Sequence, residues 1–306
     1  MRNTFAQTFH EAAKVDSRLC VVVADISPAG AMDSFRREYP DRFINTGVAE
    51  QIMIGMVAGM SMRGLKPFAY TIATFSLYRP FEFIRDDLCY QNLPVTVVGI
   101  GGGVTYSTLG STHHAQEDIA VACAIPNLSV IAPCDPEEVK AATLWCINQE
   151  KGPVYLRLGK AGEPSLSDNA ITPFEFGKLR CLKQGIDICI LGYGPILKLA
   201  LEASDELANH GVSVSVVSVH TLKPIDRMGI IDKLKQFKHV VVIEEMVSRG
   251  GLGEMVKVIA WESQAKCKIN CLSLKDEFIH CYGKHEDILD SHGISLSRLL
   301  SKIKSL

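Results

Sequence analysis

The feature of the sequence that most constrains the fold is a series of short apolar runs separated by longer stretches with helical periodicity. The first run, at 19–24, reads Leu-Cys-Val-Val-Val-Ala and is followed by Asp25. Apolar runs of this length are typical of strands that are buried on both faces of a parallel sheet. Further runs of this kind lie at 95–100, 128–132, 154–158, 186–191, 212–219 and 240–243.

The stretches between these runs carry apolar residues at helical spacing. The predicted helices cover residues 4–14, 48–63, 76–91, 115–123, 135–149, 195–210, 226–236 and 252–263. Strands that alternate with helices in this way indicate an α/β fold with largely parallel sheets flanked by helices.

A change in composition divides the chain. Residues 159–185 are rich in Gly, Pro, Ser and Asp, which is typical of connecting segments. A chain of 306 residues is also long for one domain. We therefore predict two α/β domains, at 1–165 and 185–306, each with a largely parallel sheet, joined by a linker at 166–184.

The charge balance and the apolar pattern exclude several classes of partner. Lys and Arg number 32 and Asp and Glu 34, for a net charge of −2, whereas nucleic-acid-binding domains carry a basic excess. No apolar run reaches the length of about 20 residues that a membrane-spanning helix needs. The first residues also lack the apolar stretch of a secretory signal. We predict a cytoplasmic protein without a nucleic-acid or membrane partner.

The ten cysteines are predicted to be free thiols. None of them forms a C-x-x-C pair, so their spacing does not indicate a zinc site. Disulfides are rare in the cytosol, and unpaired cysteines are commonly buried in the core.

Two glycine-rich stretches match nucleotide-binding fingerprints only in part. Residues 99–104 and 251–256 both have Val where the last glycine of G-x-G-x-x-G belongs. The chain also lacks a Walker A loop. A dehydrogenase or P-loop enzyme is therefore not favoured. A flavodoxin-like nucleotide-binding protein stays as an alternative.

Glu50 is the most informative single residue. It closes the stretch 42–51 and leads into an apolar helix with small residues at 52–60. A carboxylate at this place can simply complement the helix dipole. The residue types alone leave that interpretation open.

Four segments, in the same order along the chain, resemble motifs of the transketolase-like thiamine-diphosphate enzymes. Residues 42–60 are similar to the glutamate motif of the domain that holds the pyrimidine of the cofactor. The other similar segments are the aromatic cluster at 74–81, the histidine loop at 91–114 and the strand and helix start at 125–135. Residues 220–226 and 243–253 resemble the C-terminal domain of the family. The resemblance implies a thiamine-diphosphate-binding fold followed by a transketolase C-terminal-like domain.

The resemblance implies catalytic and cofactor-binding roles. Glu50 would hydrogen-bond the aminopyrimidine ring nitrogen and promote the tautomer that removes a proton from the thiazolium carbon. A carboxylate in an apolar pocket has the raised proton affinity that this sharing requires. Phe75, Tyr78 and Phe81 would flank the pyrimidine, although core packing explains Phe81 equally well. Asp25 matches an aspartate near the cofactor, with a turn residue as the alternative.

Substrate contacts are implied for five residues. His113 matches the family histidine that contacts substrate oxygens and moves protons, and His114 is a second candidate beside it. Arg2, Arg157 and Lys160 are candidates for binding a phosphate or carboxylate of the substrate. Each of these three is alternatively a surface charge.

The chain is predicted to need a partner subunit. It contains no Gly-Asp-Gly motif, which belongs to the N-terminal domain that holds magnesium and the diphosphate in complete transketolases. A metal site at His113, His114, Glu117 and Asp118 is not favoured, and we predict no metal ligands in this chain. The resemblance implies the C-terminal subunit of a split transketolase. A separate N-terminal subunit would supply the Mg²⁺ site within a heterotetramer.

Three positions depart from the family pattern and leave the substrate open. Leu109 stands where the family usually has an aspartate, and Gly101 where transketolases have a histidine. Lys160 replaces the phosphate-binding arginine. Lysine keeps the charge but not the bidentate geometry of arginine.

The leading prediction is a transketolase subunit that transfers a two-carbon ketol unit between a keto sugar or its phosphate and an aldose. The departures make a second enzyme class credible. This is a β-type subunit of a 2-oxoacid-decarboxylating transferase, similar to deoxyxylulose-phosphate synthase or pyruvate dehydrogenase. A non-catalytic regulatory paralogue is the third alternative, and the presence of Glu50 argues against it.

Overall fold

A seven-stranded sheet organises the first half of the chain in the computed structural model, which describes residues 1–25 and 27–304. Its strands are β1 (Leu19–Val23), β2 (Phe43–Asn45), β3 (Lys66–Ile72), β4 (Thr96–Ile100), β5 (Ser129–Ile131), β6 (Val154–Leu158) and β10 (Thr221–Lys223). Their order is β10-β5-β6-β4-β3-β1-β2, with β10 antiparallel to β5 and all other neighbours parallel. The helices of this half are α1 (Arg2–Ala13), α2 (Asp33–Glu38), α3 (Glu50–Met62), α4 (Ala73–Leu77), α5 (Phe81–Phe83), α6 (Asp118–Ala124) and α7 (Pro136–Asn148).

A five-stranded sheet organises the second half. Its strands are β7 (Arg180–Lys183), β8 (Ile188–Gly192), β9 (Val214–Ser218), β11 (His239–Val247) and β12 (Lys268–Leu274). The order is β12-β11-β8-β9-β7, and only β7 runs antiparallel to its neighbour. The helices are α8 (Leu197–Ala208), α9 (Arg227–Gln236), α10 (Leu252–Glu262), α11 (His285–Ser291) and α12 (Leu296–Lys304). The predicted α/β architecture with mostly parallel sheets is confirmed.

The apolar-run pattern misses one central strand. All seven predicted runs form strands, but β3 has no such run because it begins with Lys66 and Pro67 and contains Thr71. It nevertheless lies between β1 and β4 in the middle of the sheet, with Thr71 fully buried. A strand that is buried on both faces can thus contain a polar residue such as Thr71. The search for continuous apolar runs does not detect such a strand.

The single helix predicted at 76–91 is wrong, because the structure has three segments there. α4 ends at Leu77, α5 covers Phe81–Phe83, and Ile84–Tyr90 form a π-helix. Pro80 accounts for the break, since proline lacks an N–H donor and clashes with the preceding turn of a continuous helix. Arg79 and Pro80 therefore lie between regular helices.

The segment predicted as a linker, 166–184, also contributes to a sheet. Residues 180–183 form β7, which pairs with β9, so the second sheet begins before residue 185. β10 leaves the second half and pairs with β5. The second half thus completes the sheet of the first, and the boundaries 1–165 and 185–306 stay a prediction.

One apolar cluster runs through both halves. It contains Val57 and Leu77 from the first half together with Leu191, Met246 and Leu252 from the second, all of them fully buried. Burial of apolar surface is the main favourable term in folding. The shared cluster therefore fixes the two halves against each other.

A buried arginine adds polar contacts between the halves. Arg157, in β6, donates from Nε to Oδ2 of Asp118 at 2.8 Å and from Nη2 to the backbone oxygen of Glu245 at 3.0 Å. Tyr155 donates its hydroxyl to the same Asp118 oxygen at 2.8 Å. Because Glu245 lies in β11, the guanidinium links the two sheets.

The glycine-rich stretch at 250–253 begins a helix and does not form a nucleotide site. Glu244 accepts the backbone N–H groups of Leu252 at 2.7 Å and Gly253 at 2.9 Å, at the start of α10. These are the helix N-terminal donors that bind phosphate in nucleotide sites. Burial raises the pKa of Glu244 to about 7, while these bonds favour its ionised form.

Two further sequence expectations can be compared with the structure. All ten cysteines are free thiols, and burial raises the pKa of several of them, including Cys146 to about 12. Across the described residues, no helix combines the length and the apolar character needed to cross a membrane.

We expect replacement of Arg157 by Met to destabilise the chain strongly. The change leaves the buried carboxylate of Asp118 without its cation, and breaking a buried pair in this way costs about 3–5 kcal/mol. Urea denaturation of the purified chain measures the loss. Arg36→Met is the matched control, because the Arg36–Asp33 pair is exposed and should contribute at most about 1 kcal/mol. Equal midpoints for the two variants would contradict the linking role of Arg157.

Candidate active site

Glu50 is placed by a turn at the carboxyl edge of the first sheet. It is the first residue of α3 and follows the end of β2 by five positions. Asn45, the last residue of β2, accepts on Oδ1 the backbone N–H groups of Asp25 at 3.0 Å and Gly47 at 2.9 Å. Gly47 has a φ of +68°, a conformation that favours glycine. The carboxyl edge of a parallel sheet is where α/β proteins bind ligands.

The Glu50 carboxylate is buried beside the guanidinium of Arg79. The Glu50 side chain is 2% exposed, and its two oxygens accept hydrogen bonds from Nη1 of Arg79 at 3.2 and 3.1 Å. The Arg79 side chain is 44% exposed and so reaches in from the surface. The apolar pocket expected from the sequence thus contains a guanidinium in direct contact with the carboxylate.

Aromatic rings and a histidine extend this arrangement. The guanidinium carbon of Arg79 lies 4.5 Å from the centroid of the Phe75 ring. Phe75 in turn packs edge-on against His113, with ring centroids 5.2 Å apart. Two of the predicted site residues, Phe75 and His113, therefore lie on the same side of Glu50 and are joined to it through Arg79.

The surroundings of His113 favour the neutral form of its imidazole. Burial and the positive charge of Arg79 both lower its pKa. Its Nδ1 lies 3.0 Å from Oγ1 of Thr112. A neutral imidazole can accept a proton or a hydrogen bond from a ligand, which is the chemistry expected of a general base.

Tyr78 follows the last residue of α4. It is half-buried and packs against the shared apolar cluster. Burial raises the pKa of the Tyr78 phenol, and it also raises the pKa of the nearby Glu117 carboxyl. The phenol therefore stays neutral and adds an apolar ring to this side of the site.

The packing of Tyr106 explains why residue 101 is a glycine. Gly101 has a φ of +76°, and a Cβ atom there would overlap the Tyr106 ring. Tyr106 packs near His113, with ring centroids 6.2 Å apart, and Nζ of Lys160 lies 5.2 Å from the Tyr106 centroid. Burial raises the pKa of Tyr106, and the charge of Arg2 offsets part of this effect. The tyrosine thus fills the place beside Gly101 and brings Arg2, Lys160 and His113 around one ring.

Four predicted site residues lie elsewhere or have other contacts. Asp25 follows the end of β1 as an exposed residue with a φ of +38°. Phe81 is 38% exposed and joins no aromatic pair in the part of the chain that the structure describes. His114 is buried, which lowers its pKa. Arg157 is buried between the halves and donates to protein groups, which favours a structural role over substrate binding.

Sequence reasoning missed three residues that shape the site. Arg79 lies inside the aromatic segment 74–81, but only the aromatic residues of that segment were singled out. An arginine next to a helix-breaking Pro80 was the available signal. Tyr106 and Asn45 had no comparable signal, because their importance comes from contacts across loops.

Comparison with known proteins identifies the family. Residues 1–162 match the transketolase pyrimidine-binding domain and residues 177–299 the transketolase C-terminal domain. A putative transketolase C-terminal section from Methanocaldococcus jannaschii is 35% identical, over 99% of this chain and 95% of that protein. A subunit of the apulose-4-phosphate transketolase from Actinobacillus succinogenes is 30% identical, over 100% and 98% of the two chains.

A solved structure agrees with this result. The chain described as a split gene transketolase, inactive beta4 tetramer, superposes with a TM-score of 0.87 at 31% identity, covering 99% of this chain and 96% of that one. A 1-deoxy-D-xylulose-5-phosphate synthase from Bacillus velezensis is also similar, at 31% identity, but this chain spans only 47% of its length.

The chain belongs to the transketolase family and consists of its pyrimidine-binding and C-terminal domains. The family resemblance read from the sequence is thereby confirmed. These domains imply a thiamine-diphosphate-dependent enzyme of the transferase type.

We expect Arg79→Gln to raise the pKa of His113. Arg79 disfavours the imidazolium form, so removing its charge lets His113 take up a proton at higher pH. An NMR titration of the isolated chain, with the signal assigned through His113→Gln, measures the change. Arg85→Gln serves as the control, because Arg85 is exposed and pairs with Asp86. An unchanged titration in Arg79→Gln would show that the guanidinium does not act on His113.

Proposed function

We propose that this chain is the C-terminal subunit of a thiamine-diphosphate-dependent transketolase of carbohydrate metabolism, acting in the cytoplasm. The reaction would transfer a two-carbon ketol unit between a keto sugar, or its phosphate, and an aldose. The observation that carries the proposal is the buried Glu50 carboxylate, which lies with Phe75 and His113 at the carboxyl edge of the first sheet.

The residues present fit the pyrimidine end of the cofactor. A buried carboxylate whose partner is a partly exposed guanidinium can exchange that partner for a protonated ring nitrogen. Phe75, in α4, and Tyr78, directly after it, offer aromatic rings on which a flat heterocycle would pack. When bound, the cofactor supplies an electron sink for negative charge on the transferred carbon unit.

Arg79 would pair with the Glu50 carboxylate until the aminopyrimidine ring of the cofactor binds. Its two hydrogen bonds give the buried Glu50 carboxylate a positively charged partner in the absence of the cofactor. A buried carboxylate without such a partner would be strongly unfavourable. The partial exposure of Arg79 lets the side chain swing outward on its long stem. Glu50 would then hold a proton at the ring nitrogen.

His113 and two cations would bind the substrate. The neutral His113 is able to accept a proton from a substrate hydroxyl. Lys160 and Arg2 lie around the adjacent Tyr106 and would attract a phosphate. Asp25, after the end of β1, stays a candidate cofactor contact, whereas Phe81, His114 and Arg157 are weaker candidates on their contacts.

The diphosphate and Mg²⁺ would be held by an N-terminal partner subunit. The described residues of this chain contain no group of three or more His, Cys, Asp or Glu side chains placed to hold a metal ion. The relatives described as a C-terminal section, a transketolase subunit and a split gene product support a divided enzyme. We propose a heterotetramer with two copies of each subunit.

The outer face of α3 is the proposed contact with other subunits. This α3 surface consists of Ile52, Gly55, Gly59 and Met62, which follow one another at helical spacing, together with Val48 in the turn before the helix. Val48, Ile52 and Met62 are 68, 60 and 62% exposed. A helix that is apolar on both faces is typically buried on both. The surface begins beside Glu50, so a subunit that covers it would also close the site.

The second candidate, a 2-oxoacid-decarboxylating transferase, is favoured by Leu109. This residue is 47% exposed in the loop before His113, where it offers no hydrogen-bond partner to a donor hydroxyl. Release of CO₂ from pyruvate by the assembled enzyme would favour this class, whereas ketol transfer from a sugar without CO₂ release supports the transketolase.

We expect Glu50→Gln to reduce turnover of the assembled enzyme by about 10²-fold or more, because an amide cannot share the ring proton. Steady-state kinetics with the partner subunit, thiamine diphosphate and Mg²⁺ measures the effect. Glu82→Gln, which changes an exposed glutamate of α5, should retain full activity. Wild-type turnover in Glu50→Gln would refute the proposed role, and no turnover in any variant or the wild type would favour a non-catalytic paralogue.

We expect Gly55→Leu to weaken subunit assembly by about tenfold or more without unfolding the isolated chain. A Cβ at Gly55 meets no atom within 4 Å, so the free helix tolerates the side chain, but a tightly packed partner would be overpacked at a cost of about 1–3 kcal/mol. Sedimentation of the mixed subunits measures assembly. Val258→Leu, at an exposed site on α10, is the control, and equal assembly of both variants would place the interface elsewhere.

A further inference from the structure

We infer that the second half of the chain positions His113, through Glu245, His285 and Tyr282, which hold the loop that carries this histidine. The inference rests on the proposed function only for the importance of His113, and the contacts stand by themselves. We call residues 104–113 the His113 loop. The side chains of Glu245, His285 and Tyr282 take no part in the contacts around Glu50 described above.

The two ends of the His113 loop are paired with each other. Gly103 and Ala115 exchange two backbone hydrogen bonds, of 3.1 and 2.8 Å, which bring the ends of the loop together. Within residues 104–113, all of which the structure describes, the only regular element is a single 3₁₀ turn at Ser111–His113. The path of the intervening residues therefore depends on contacts from outside the loop.

The first outside contact is made by Glu245. Its Oε1 accepts the backbone N–H of Val104, the first loop residue, at 2.7 Å. Gly103 leaves room for this carboxylate, since a Cβ atom at that position would overlap it. Glu245 lies in β11 and is 5% exposed, so the loop begins against a rigid and buried acceptor.

His285 supplies the charge that stabilises this acceptor. Its Nε2 lies 2.8 Å from the same Oε1 of Glu245, and its side chain is 35% exposed. Burial raises the pKa of Glu245, but the charge and hydrogen bond of His285, the charge of Arg157 and the Val104 N–H together outweigh this effect, so the pKa is lowered overall. The charge of Glu245 in turn raises the pKa of His285. Without the imidazolium, a buried carboxylate would lose its charged partner, which is strongly unfavourable.

The segment that precedes His285 makes two further contacts with the loop. Ser111 donates its hydroxyl to the backbone oxygen of Ile279 at 2.8 Å. Tyr282 packs over Gly110, where a Cβ atom would lie 2.9 Å from the tyrosine ring. The loop is thus held by the second half at its start and again directly before His113. An imidazole placed in this way faces Phe75 at a fixed distance.

Amide hydrogen exchange of the full chain tests the inference without partner or cofactor. In His285→Ala we expect exchange within residues 104–113 to accelerate about tenfold or more, since a hydrogen bond to a charged group is lost. Exchange in the β8 strand should stay unchanged. His285→Gln, which keeps a donor near the Nε2 position, should restore most of the protection. His210→Ala is the control, because His210 is exposed and pairs with Glu206 on α8, away from the loop.

The NMR signal of the His113 ring provides a second readout. The nearby Phe75 ring should shift the His113 resonance away from the chemical shift of a free histidine. In His285→Ala the His113 chemical shift should move back toward that free value. Loop exchange and a His113 signal equal to those of His210→Ala would overturn the inference, while leaving the proposed function intact. Should His285→Ala fail to fold, Ser111→Ala must accelerate exchange at 110–113. Unchanged exchange in that variant would overturn the inference as well.

Discussion

The polar connection between the two halves depends on the buried guanidinium of Arg157. It is bound by Asp118 on one side and by the backbone of Glu245 on the other, and its side chain is almost wholly buried. A charge in this setting needs all its partners, because none can be replaced by solvent. The Glu245 side chain in turn lies against Gly103 of the glycine-rich stretch after β4. The start of the His113 loop is thereby connected to the buried arginine through Glu245.

The sequence was sufficient for the fold class but not for its details. Continuous apolar runs identified seven buried strands, since a strand covered on both faces needs no polar residue. The same rule missed β3, whose Lys66, Pro67 and Thr71 hide a central strand. Short edge strands such as β7 and β10 contain too few residues for any pattern. Their formation depends on a neighbouring strand that only the tertiary structure supplies.

The site was partly predictable for a related reason. Glu50, Phe75, Tyr78 and His113 lie in ordered motifs, so the family resemblance could identify them before any coordinates. Their roles are still proposals. Arg79 was not identified, because a charged residue beside an aromatic one has no meaning until a helix break directs it toward Glu50. The residue type shows which interactions a side chain can make, but only the tertiary structure shows which partner it contacts.

β10 has a consequence for how such a chain can be divided. This strand belongs by sequence to the second half, yet it lies along β5 and closes one edge of the first sheet. If the gene were cut between the halves, β5 would be left with unpaired backbone groups, a known template for aggregation. The two domains are consequently not interchangeable modules.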